Sequence, residues 1–337
     1  MDKKTPKRLK KDIIIYTSNI YYKYRTVIKV GKVKSRSFLN SAVLLIKSRK
    51  EALGLWLWCA MVAALMAGRG FPPMMPSLLS FASTFLIATA VYIYNDVVDA
   101  DVDRQNTYKD DRPLASGEVP RAHAMWLIYI SSVLGLTISL LNSLMSFVFS
   151  AIYFVVFALY SYPPVHLKKR FLVKETVIST GLIIIGMSVN YAILGSFSIR
   201  VFFGFLLFAV FAFFAMPTGF DSTDVVADKI QGVRSIASVV PFRRRLQLAI
   251  GGMLLVMAVT PFTFNRFGYN ILLPISVGAT GLIYLWLMLP LMMSVEPESH
   301  GVKESILFKT RKIIVTFIFV ICGCVILGSI NLSFLIA

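Results

Sequence analysis

The chain has 337 residues, of which 57% are apolar and 15% are charged, and its formal net charge is +18. A typical globular protein carries roughly 25% charged residues, so an ordinary soluble enzyme, a disordered tail protein and a disulfide scaffold are excluded. The first 50 residues contain 15 of the 35 basic residues. They are predicted to form a basic N-terminal segment in the cytoplasm or at the membrane interface. Within it, residues 37–46 are apolar enough to form an interfacial helix.

Beyond this segment, apolar runs of about 20 residues recur along the chain, each long enough to cross the ~30 Å hydrocarbon core as a helix. The sequence therefore predicts an all-α, polytopic membrane protein with nine transmembrane helices. The predicted spans are residues 52–70, 76–95, 123–142, 145–162, 175–196, 199–218, 247–264, 271–294 and 313–335.

Basic residues are distributed unequally between the two sides of the membrane that these spans define. If the N-terminal segment is cytoplasmic, 32 basic residues fall on the inner side, and three, Arg69, Arg200 and Arg266, fall on the outer side. This asymmetry follows the positive-inside rule. It predicts a protein of the cell (cytoplasmic) membrane whose N-terminus is cytoplasmic. The net charge then requires no nucleic-acid partner, because the basic segment is expected to meet anionic lipid headgroups.

Acidic residues cluster at the inner ends of two spans, and none of the 17 lies in a predicted outer loop. The first cluster runs from Asp96 to Asp103 and the second from Asp221 to Asp228. Both read D-x-x-D-x-x-x-D followed by a basic residue, and they are offset by 125 residues. Residues three and seven apart lie on one face of a helix. Each motif is therefore predicted to present a stripe of three carboxylates, whereas Asp101 falls off the stripe and is solvated.

Three like charges on one helix face repel each other, and a bound cation would relieve that repulsion. Oxygen ligands without His or Cys favour a hard ion, above all Mg²⁺, which takes phosphate oxygens as further ligands. Two facing stripes could hold two or three such ions around a diphosphate. The alternative is that these acids lie in solvated loops that set the ends of the helices. The occurrence of two motifs with the same spacing at the same membrane depth disfavours this alternative. The candidate metal ligands are Asp96, Asp99, Asp103, Asp221, Asp224 and Asp228. All of them except Asp221 are also candidate catalytic residues.

Basic residues near these acids are candidate ligands for phosphate oxygens that the metal ions leave uncovered. Arg104 and Lys229 directly follow the two motifs, Arg112 lies in an Asp-Asp-Arg-Pro loop, and Lys168 follows a pair of prolines. Pro217 is predicted to break the sixth span just before the second motif. A broken helix at membrane depth is tolerated where it lines a polar cavity.

At these residues the chain resembles the UbiA superfamily of intramembrane prenyltransferases. The first motif of this superfamily, N-D-x-x-D-x-x-x-D, is present intact as Asn95, Asp96, Asp99 and Asp103. The second motif of the superfamily is followed by a glycine, which is Gly232 in this chain. The Arg-Pro-Leu-Ala-Ser-Gly and Tyr-Ser-Tyr-Pro-Pro stretches are also similar to family signatures. The resemblance extends over residues 51–337, which are expected to form one nine-helix, UbiA-like domain.

The resemblance implies an all-helical fold around a central cavity, with a polar cap that faces the cytoplasm. It also implies an enzyme, a Mg²⁺-dependent prenyltransferase (a transferase of alkyl groups other than methyl). Such an enzyme moves an isoprenoid chain from a prenyl diphosphate donor to a hydrophobic or amphipathic acceptor and releases pyrophosphate. Tyr160 could shield a carbocation-like centre through a cation–π contact or serve only as an interfacial tyrosine. The candidate substrate-binding residues are Asn95, Arg104, Arg112, Tyr160, Lys168 and Lys229. Asn95 is also a candidate metal ligand.

One spacing departs from the pattern of the quinone, chlorophyll and archaeal ether-lipid members. Asp103 and Arg112 are nine residues apart, a longer spacing that resembles the decaprenyl-phosphate phosphoribosyltransferase branch. The intact second motif fits that branch poorly, so phosphoribosyl transfer to a polyprenyl phosphate remains an alternative. Candidate prenyl acceptors are a prenylated glycerol phosphate of ether lipids, an aromatic quinone precursor and a tetrapyrrole. The basic charge of the inner face favours the glycerol phosphate.

Two other protein classes place acidic residues at or in a membrane. A CDP-alcohol phosphotransferase needs a D-G-x-x-A-R segment, but Val97, Val98 and Ala100 occupy the relevant places here. A cation-coupled transporter, the non-enzymatic alternative, carries ionisable residues near the bilayer midplane. The predicted spans contain almost no charge, and the acids lie at one boundary, so the sequence favours the enzyme.

Overall fold

The computed structural model describes residues 36–104, 109, 111–223, 225, 228, 232–297 and 302–331, and these residues fold into eleven α-helices. Short 3-10 helices lie at Leu167–Lys169, Asp221–Thr223 and Asn265–Phe267. The α-helices are α1 (Phe38–Ser48), α2 (Lys50–Ala67), α3 (Met74–Asp103), α4 (Arg121–Asn142), α5 (Leu144–Ser161), α6 (Val173–Leu194), α7 (Ile199–Gly219), α8 (Ile236–Val239), α9 (Phe242–Thr263), α10 (Leu272–Met293) and α11 (Glu304–Ser329).

Within the described part of the chain, nine helices are long and apolar enough to cross a membrane, namely α2 to α7 and α9 to α11. The predicted all-α membrane fold and its number of spans are confirmed. The largest differences in boundaries lie at α3, which ends at Asp103 instead of residue 95, and at α11, which begins at Glu304 instead of residue 313. Both extensions are polar, so the hydropathy pattern that locates a span does not register them.

Serine side chains cap several helices where the chain turns. Ser37 accepts a hydrogen bond from the backbone N–H of Asn40 at the start of α1, and Ser143 accepts one from Ser146 at the start of α5. Ser198 is placed in the same way at the start of α7. These caps satisfy N–H groups that have no partner within the helix and that lipid cannot satisfy.

Small residues allow the spans to approach each other closely. A methyl group added at Gly135 on α4 would lie 2.7 Å from the side chain of Ile87 on α3. A methyl group added at Gly186 on α6 would lie 2.6 Å from the ring of Phe205 on α7. Such contacts are typical of membrane helices, whose association depends on close packing because lipid tails are as apolar as the side chains.

The α1 helix packs against α4 near the start of the bundle. Leu45 and Ala42 are buried, and Ser41 Oγ lies 2.9 Å from His123 Nδ1 at the beginning of α4. The neighbouring Leu39 and Val43 are exposed, as expected for an amphipathic interfacial helix. Residues 1–35 of the basic N-terminal segment lie outside the described residues, so its separation as a unit stays a prediction.

The alternating direction of the spans brings both acidic motifs to one end of the bundle, here called the acidic end. Arg49, directly before α2, contacts Asp96 on α3. Lys174, in the first turn of α6, contacts Asp221 and Asp228, which follow α7. These contacts place the start of α2 and α6 beside the end of α3 and α7.

Candidate active site

The first acidic motif lies on the last turns of α3 and faces into the bundle. Asp96 and Asp103 are 3% and 4% exposed, whereas the side chain of Asp101 is 69% exposed. Asp101 instead forms ion pairs with Arg104 and Arg121 at the surface. The predicted helical face is therefore confirmed for this motif, including the solvated position of Asp101.

Two arginines bind the ends of this carboxylate stripe. Arg49 forms a two-point ion pair with Asp96, in which Nε donates to Oδ2 at 2.7 Å. Arg112 Nη1 donates to Asp103 at 2.7 Å and lies 3.3 Å from Asp96. Burial and the charge of nearby Arg112 lower the pKa of Arg49 to about 10, so Arg49 remains protonated at neutral pH. Arg112 lies in the loop after α3 and reaches back over the end of that helix.

Lys168 binds the middle of the stripe. Its Nζ lies 2.6 Å from both carboxylate oxygens of Asp99 and 3.4 Å from Asn95 Oδ1. Asn95 Oδ1 also accepts a hydrogen bond from Ser161 at 2.7 Å. The short helix that carries Lys168 begins after His166, whose backbone is left-handed with φ of 41°. This turn directs the lysine toward the cavity rather than toward solvent.

The second acidic motif is not the continuous helical stripe predicted from its spacing. The helix α7 ends at Gly219, and a 3-10 turn over Asp221–Thr223 follows it. Proline at position 217 lacks the N–H that a continuous helix requires. Arg245 Nη1 donates to the carbonyl of Pro217 at 2.9 Å, so this end of the helix is satisfied by a side chain. Pro217 itself lies inside α7, and the helix ends two residues later, at Gly219, so a break before the second motif is present and alters the geometry of the motif.

The two described carboxylates of the second motif nevertheless share one basic partner. Lys174 Nζ lies 3.4 Å from Asp221 and 3.0 Å from Asp228. Asp228 also accepts a hydrogen bond from Ser235 at 3.3 Å. The predicted site residues Asp224 and Lys229 lie outside the described residues.

Both motifs line a single cavity of about 190 Å³ at the acidic end. Its apolar wall contains Val91, Tyr92, Phe157, Tyr160 and Ile178. The predicted site residues that line it are Asn95, Asp99, Asp103, Arg112, Tyr160, Lys168, Asp221 and Asp228. The cavity therefore joins a polar surface, supplied by both motifs, to an aromatic and aliphatic one.

The predicted substrate-binding residue Arg104 does not reach this cavity. Its Nε donates to the carbonyl of Ala115 at 2.9 Å, and its guanidinium lies 3.5 Å from Asp101. It follows Asp103 by one position and so points away from the buried face of α3. In this arrangement Arg104 holds the loop that carries Arg112 rather than the cavity itself.

Besides Lys109 in the loop after α3, two basic residues of the cavity were not predicted, Arg49 and Lys174. In the sequence, Arg49 is one of many basic residues before the first span, and Lys174 is the last of a basic run at the end of a loop. No local pattern distinguishes either from an ordinary positive-inside residue. Only their position directly before or at the start of a span indicates that they could turn inward.

Four carboxylates and five basic side chains of the described residues line the cavity, and a fifth carboxylate, Asp96, is paired with Arg49 just outside the lining. The described cavity lining offers carboxylate and amide oxygens and no His or Cys, which suits a hard divalent ion. No described group of three or more acidic, His or Cys residues is close enough to form a ready metal site. The acids are Asp96, Asp99, Asp103, Asp221 and Asp228, and the bases are Arg49, Lys109, Arg112, Lys168 and Lys174.

A family model described as the UbiA prenyltransferase family matches residues 56–301 of the chain. The chain belongs to this family. Digeranylgeranylglyceryl phosphate synthase from Sulfurisphaera tokodaii is 28% identical over 63% of this chain and 74% of that relative. The 4-hydroxybenzoate octaprenyltransferase of Legionella pneumophila strain Corby is 31% identical over 36% of this chain and 44% of its own length. The chain is thus a membrane prenyltransferase of the UbiA family.

Solved structures share the fold of this UbiA-family chain. A structure described as digeranylgeranylglyceryl phosphate synthase in membranes has a TM-score of 0.67 and 20% identity, and covers 87% of this chain and 99% of that one. A UbiA homologue from Archaeoglobus fulgidus, bound to GPP and Mg²⁺, has a TM-score of 0.62 and 18% identity over 85% of this chain and 99% of that one. At these identities the comparison concerns the fold.

Proposed function

We propose that this UbiA-family enzyme transfers a prenyl group from a prenyl diphosphate to a lipid acceptor in a Mg²⁺-dependent reaction. The observation that carries the proposal is the single cavity in which carboxylates of two motifs, 125 residues apart in the chain, face one apolar wall. The homologue from Archaeoglobus fulgidus whose structure contains GPP and Mg²⁺ supports the same donor and metal.

The polar half of the cavity is suited to a diphosphate. Asp99, Asp103, Asp221 and Asp228, with Asn95, would hold Mg²⁺, which when bound neutralises charge on the departing diphosphate. Binding would require Lys168, Arg112 and Lys174 to turn from the carboxylates toward phosphate oxygens. Their charges then stabilise the pyrophosphate that leaves.

The apolar half of the cavity is suited to the prenyl chain. The C1–O bond of the donor breaks, its electron pair leaves with pyrophosphate, and the acceptor nucleophile forms a new bond to C1 and loses its proton. The rings of Phe157 and Tyr160 lie 6.3 Å apart along this wall. They exclude water from the allylic centre and can face its positive charge.

We further propose that the acceptor is a prenylated glycerol phosphate. The relative from Sulfurisphaera tokodaii, which this chain matches over 74% of its length, is a digeranylgeranylglyceryl phosphate synthase. The unpredicted bases Arg49 and Lys174 add positive charge beside the cavity, which suits a phosphate-bearing acceptor. The active site faces the cytoplasm in this proposal, because the acidic end carries the excess of basic residues.

A second candidate is phosphoribosyl transfer to a polyprenyl phosphate. The decaprenyl-phosphate phosphoribosyltransferase of Mycobacterium tuberculosis strain H37Rv is 43% identical to this chain, but over 60 residues only, 18% of each protein. The two candidates require different donors, so one assay separates them.

The test is a product assay on purified protein in detergent with Mg²⁺. One reaction receives geranylgeranyl diphosphate with geranylgeranylglyceryl phosphate, one receives it with 4-hydroxybenzoate, and one receives phosphoribosyl diphosphate with decaprenyl phosphate. We expect mass spectrometry to find the prenylated glycerol phosphate and stoichiometric pyrophosphate, and Asp99→Asn protein to form both at least about 10²-fold more slowly. A phosphoribosylated lipid as the sole product would overturn the proposal.

A further inference from the structure

A second cavity lies at the end of the bundle opposite the acidic end. It is open, has a volume of about 720 Å³, and lies between the turns that join α2 to α3, α6 to α7 and α9 to α10. Arg69, Arg200 and Arg266 all line it. These are the three basic residues that the predicted spans place on the outer side, and the fold brings them together.

The positive charge of this cavity has no counter-ion in the described structure. None of its three arginines forms an ion pair with a described carboxylate, and the sequence predicts no acid on that side of the membrane. The like charge of Arg69 lies near enough to act on Arg200. Each of two like charges disfavours the charged form of the other, whereas an anion bound between them would favour it.

Arg200 is built into the wall of the cavity rather than extended into solvent. It is 7% exposed, and its Nη2 donates to the carbonyl of Met66 at 3.1 Å, at the C-terminal end of α2. Its Nε is buried and has no hydrogen-bond partner in the described structure. A buried guanidinium donor left unpaired is unfavourable. Burial also leaves the charge of Arg200 poorly solvated, and an anion in the cavity would offset that cost.

Arg69 is held in a backbone conformation that a side-chain-bearing residue adopts at a cost. Its φ is 52°, in the left-handed region, and Gly70 follows with φ of 99°. Gly68 permits this turn, because a methyl group there would lie 2.4 Å from Pro72 Cα. Residues in such strained backbone conformations cluster at functional sites, where the strain positions a side chain. Here the positioned group is the exposed guanidinium of Arg69.

Apolar side chains form the rim of the same cavity. Leu194, Phe197 and Ile199 line it and are exposed. This rim lies beside three arginines, so the cavity combines a surface for an acyl chain with donors for an anion. Guanidinium groups bind phosphate through two parallel hydrogen bonds.

We propose that this cavity binds a phosphate group, carried by an anionic lipid headgroup or present as a free phosphate ion. The site is separate from the acidic cavity and independent of the proposed prenyl transfer. Arg69 and Arg266 are exposed and would contact the phosphate directly. Arg200 would add its buried positive charge from the wall.

The test measures the thermal unfolding midpoint, Tm, because a ligand that binds the folded state raises it. One arm compares nanodiscs of phosphatidylcholine with nanodiscs that also contain phosphatidic acid. The other arm titrates inorganic phosphate into detergent-solubilised protein, with sulfate-free chloride at equal ionic strength as the reference. The variants are R69Q/R266Q, the single variant R266Q in case the double variant folds poorly, and K309Q/K312Q. The last removes two exposed lysines from the acidic end and serves as the matched control.

We expect phosphatidic acid to raise the Tm of the wild type and of K309Q/K312Q, and this rise to be reduced in R266Q and lost in R69Q/R266Q. A rise with inorganic phosphate alone, dependent on the same arginines, would identify the free ion as the source. The proposal is overturned if the wild type responds in neither arm. It is equally overturned if the response persists undiminished in R69Q/R266Q.

Discussion

The ion pair between Asp99 and Lys168 allows the structural and catalytic roles of the first motif to be separated. The side chain of Lys168 is 8% exposed and that of Asp99 is 15% exposed. Removing one partner of a buried pair costs about 3–5 kcal/mol, because the other charge stays buried. This pair borders a cavity, so partial hydration should hold the loss near about 3 kcal/mol for Asp99→Asn or Lys168→Met alone.

The double variant D99N/K168M should regain most of that stability, because replacing both members of a buried pair is often neutral. Its activity should not return. We expect each of the three variants to lose about 10²-fold or more in kcat, the usual effect of removing a key electrostatic group. Asp101→Asn is the matched control: it makes the same change two residues away, on the exposed face of α3, where ion pairs contribute about 0–1 kcal/mol.

The assay combines the denaturant midpoint of the purified protein with the rate of prenylated product formation measured by mass spectrometry. Recovery of both stability and activity in D99N/K168M would show that Asp99 only balances the charge of Lys168. Equal loss of activity in D99N and D101N would show that the cavity face of α3 is not the reacting face.

Two further predictions concern pH and topology. Burial, with the charges of Lys168 and Lys169, lowers the pKa of His166. Acidification through 6.5, its ordinary value, should therefore destabilise the protein. His166→Asn, which tolerates the left-handed backbone, should reduce this effect, and an unchanged pH profile of Tm would contradict it. In sealed inside-out vesicles, an impermeant thiol reagent should label S116C and E296C but spare S196C until the membrane is opened. All native cysteines are buried. Labelling of 116 and 296 from opposite sides would refute the span count.

The first motif could be predicted from the sequence because its geometry depends on one helix alone. Spacings of three and seven residues fix which carboxylates share a face. The structure accordingly has Asp96 and Asp103 buried and Asp101 exposed. The apolar run ended at residue 95, so the helix itself was predicted too short. The last turns of α3, which carry the aspartates, are buried by other helices and not by lipid.

The second motif could be predicted only in part. Pro217 indicates a break, whereas the D-x-x-D-x-x-x-D spacing predicts a continuous helical stripe, and these two expectations compete. The structure has a 3-10 turn at Asp221–Thr223, so helical periodicity does not relate Asp221 to the rest of the motif. Instead, the two carboxylates lie close together because Lys174 forms ion pairs with both Asp221 and Asp228.

The basic partners could not be predicted because their contacts span long distances in the sequence. Arg49 meets Asp96 from 47 residues away, and Lys174 meets Asp228 from 54 residues away. Nothing in either local sequence distinguishes an inward-facing base from a topological one. The cavity lined by Arg69, Arg200 and Arg266 could not be predicted for the same reason. These three arginines lie at three different junctions between helices, which only the packing of the helices brings together.

The central claim is that both acidic motifs act as one site for a metal-bound diphosphate. The most direct measurement is the rate of pyrophosphate release from geranylgeranyl diphosphate and its acceptor by purified protein, first in excess chelator and then with Mg²⁺ restored. The account predicts no turnover in chelator and recovery with Mg²⁺ for the wild type. It predicts little recovery for Asp99→Asn and for Asp228→Asn, one variant from each motif. Full turnover in chelator, or full activity of either variant, would contradict it.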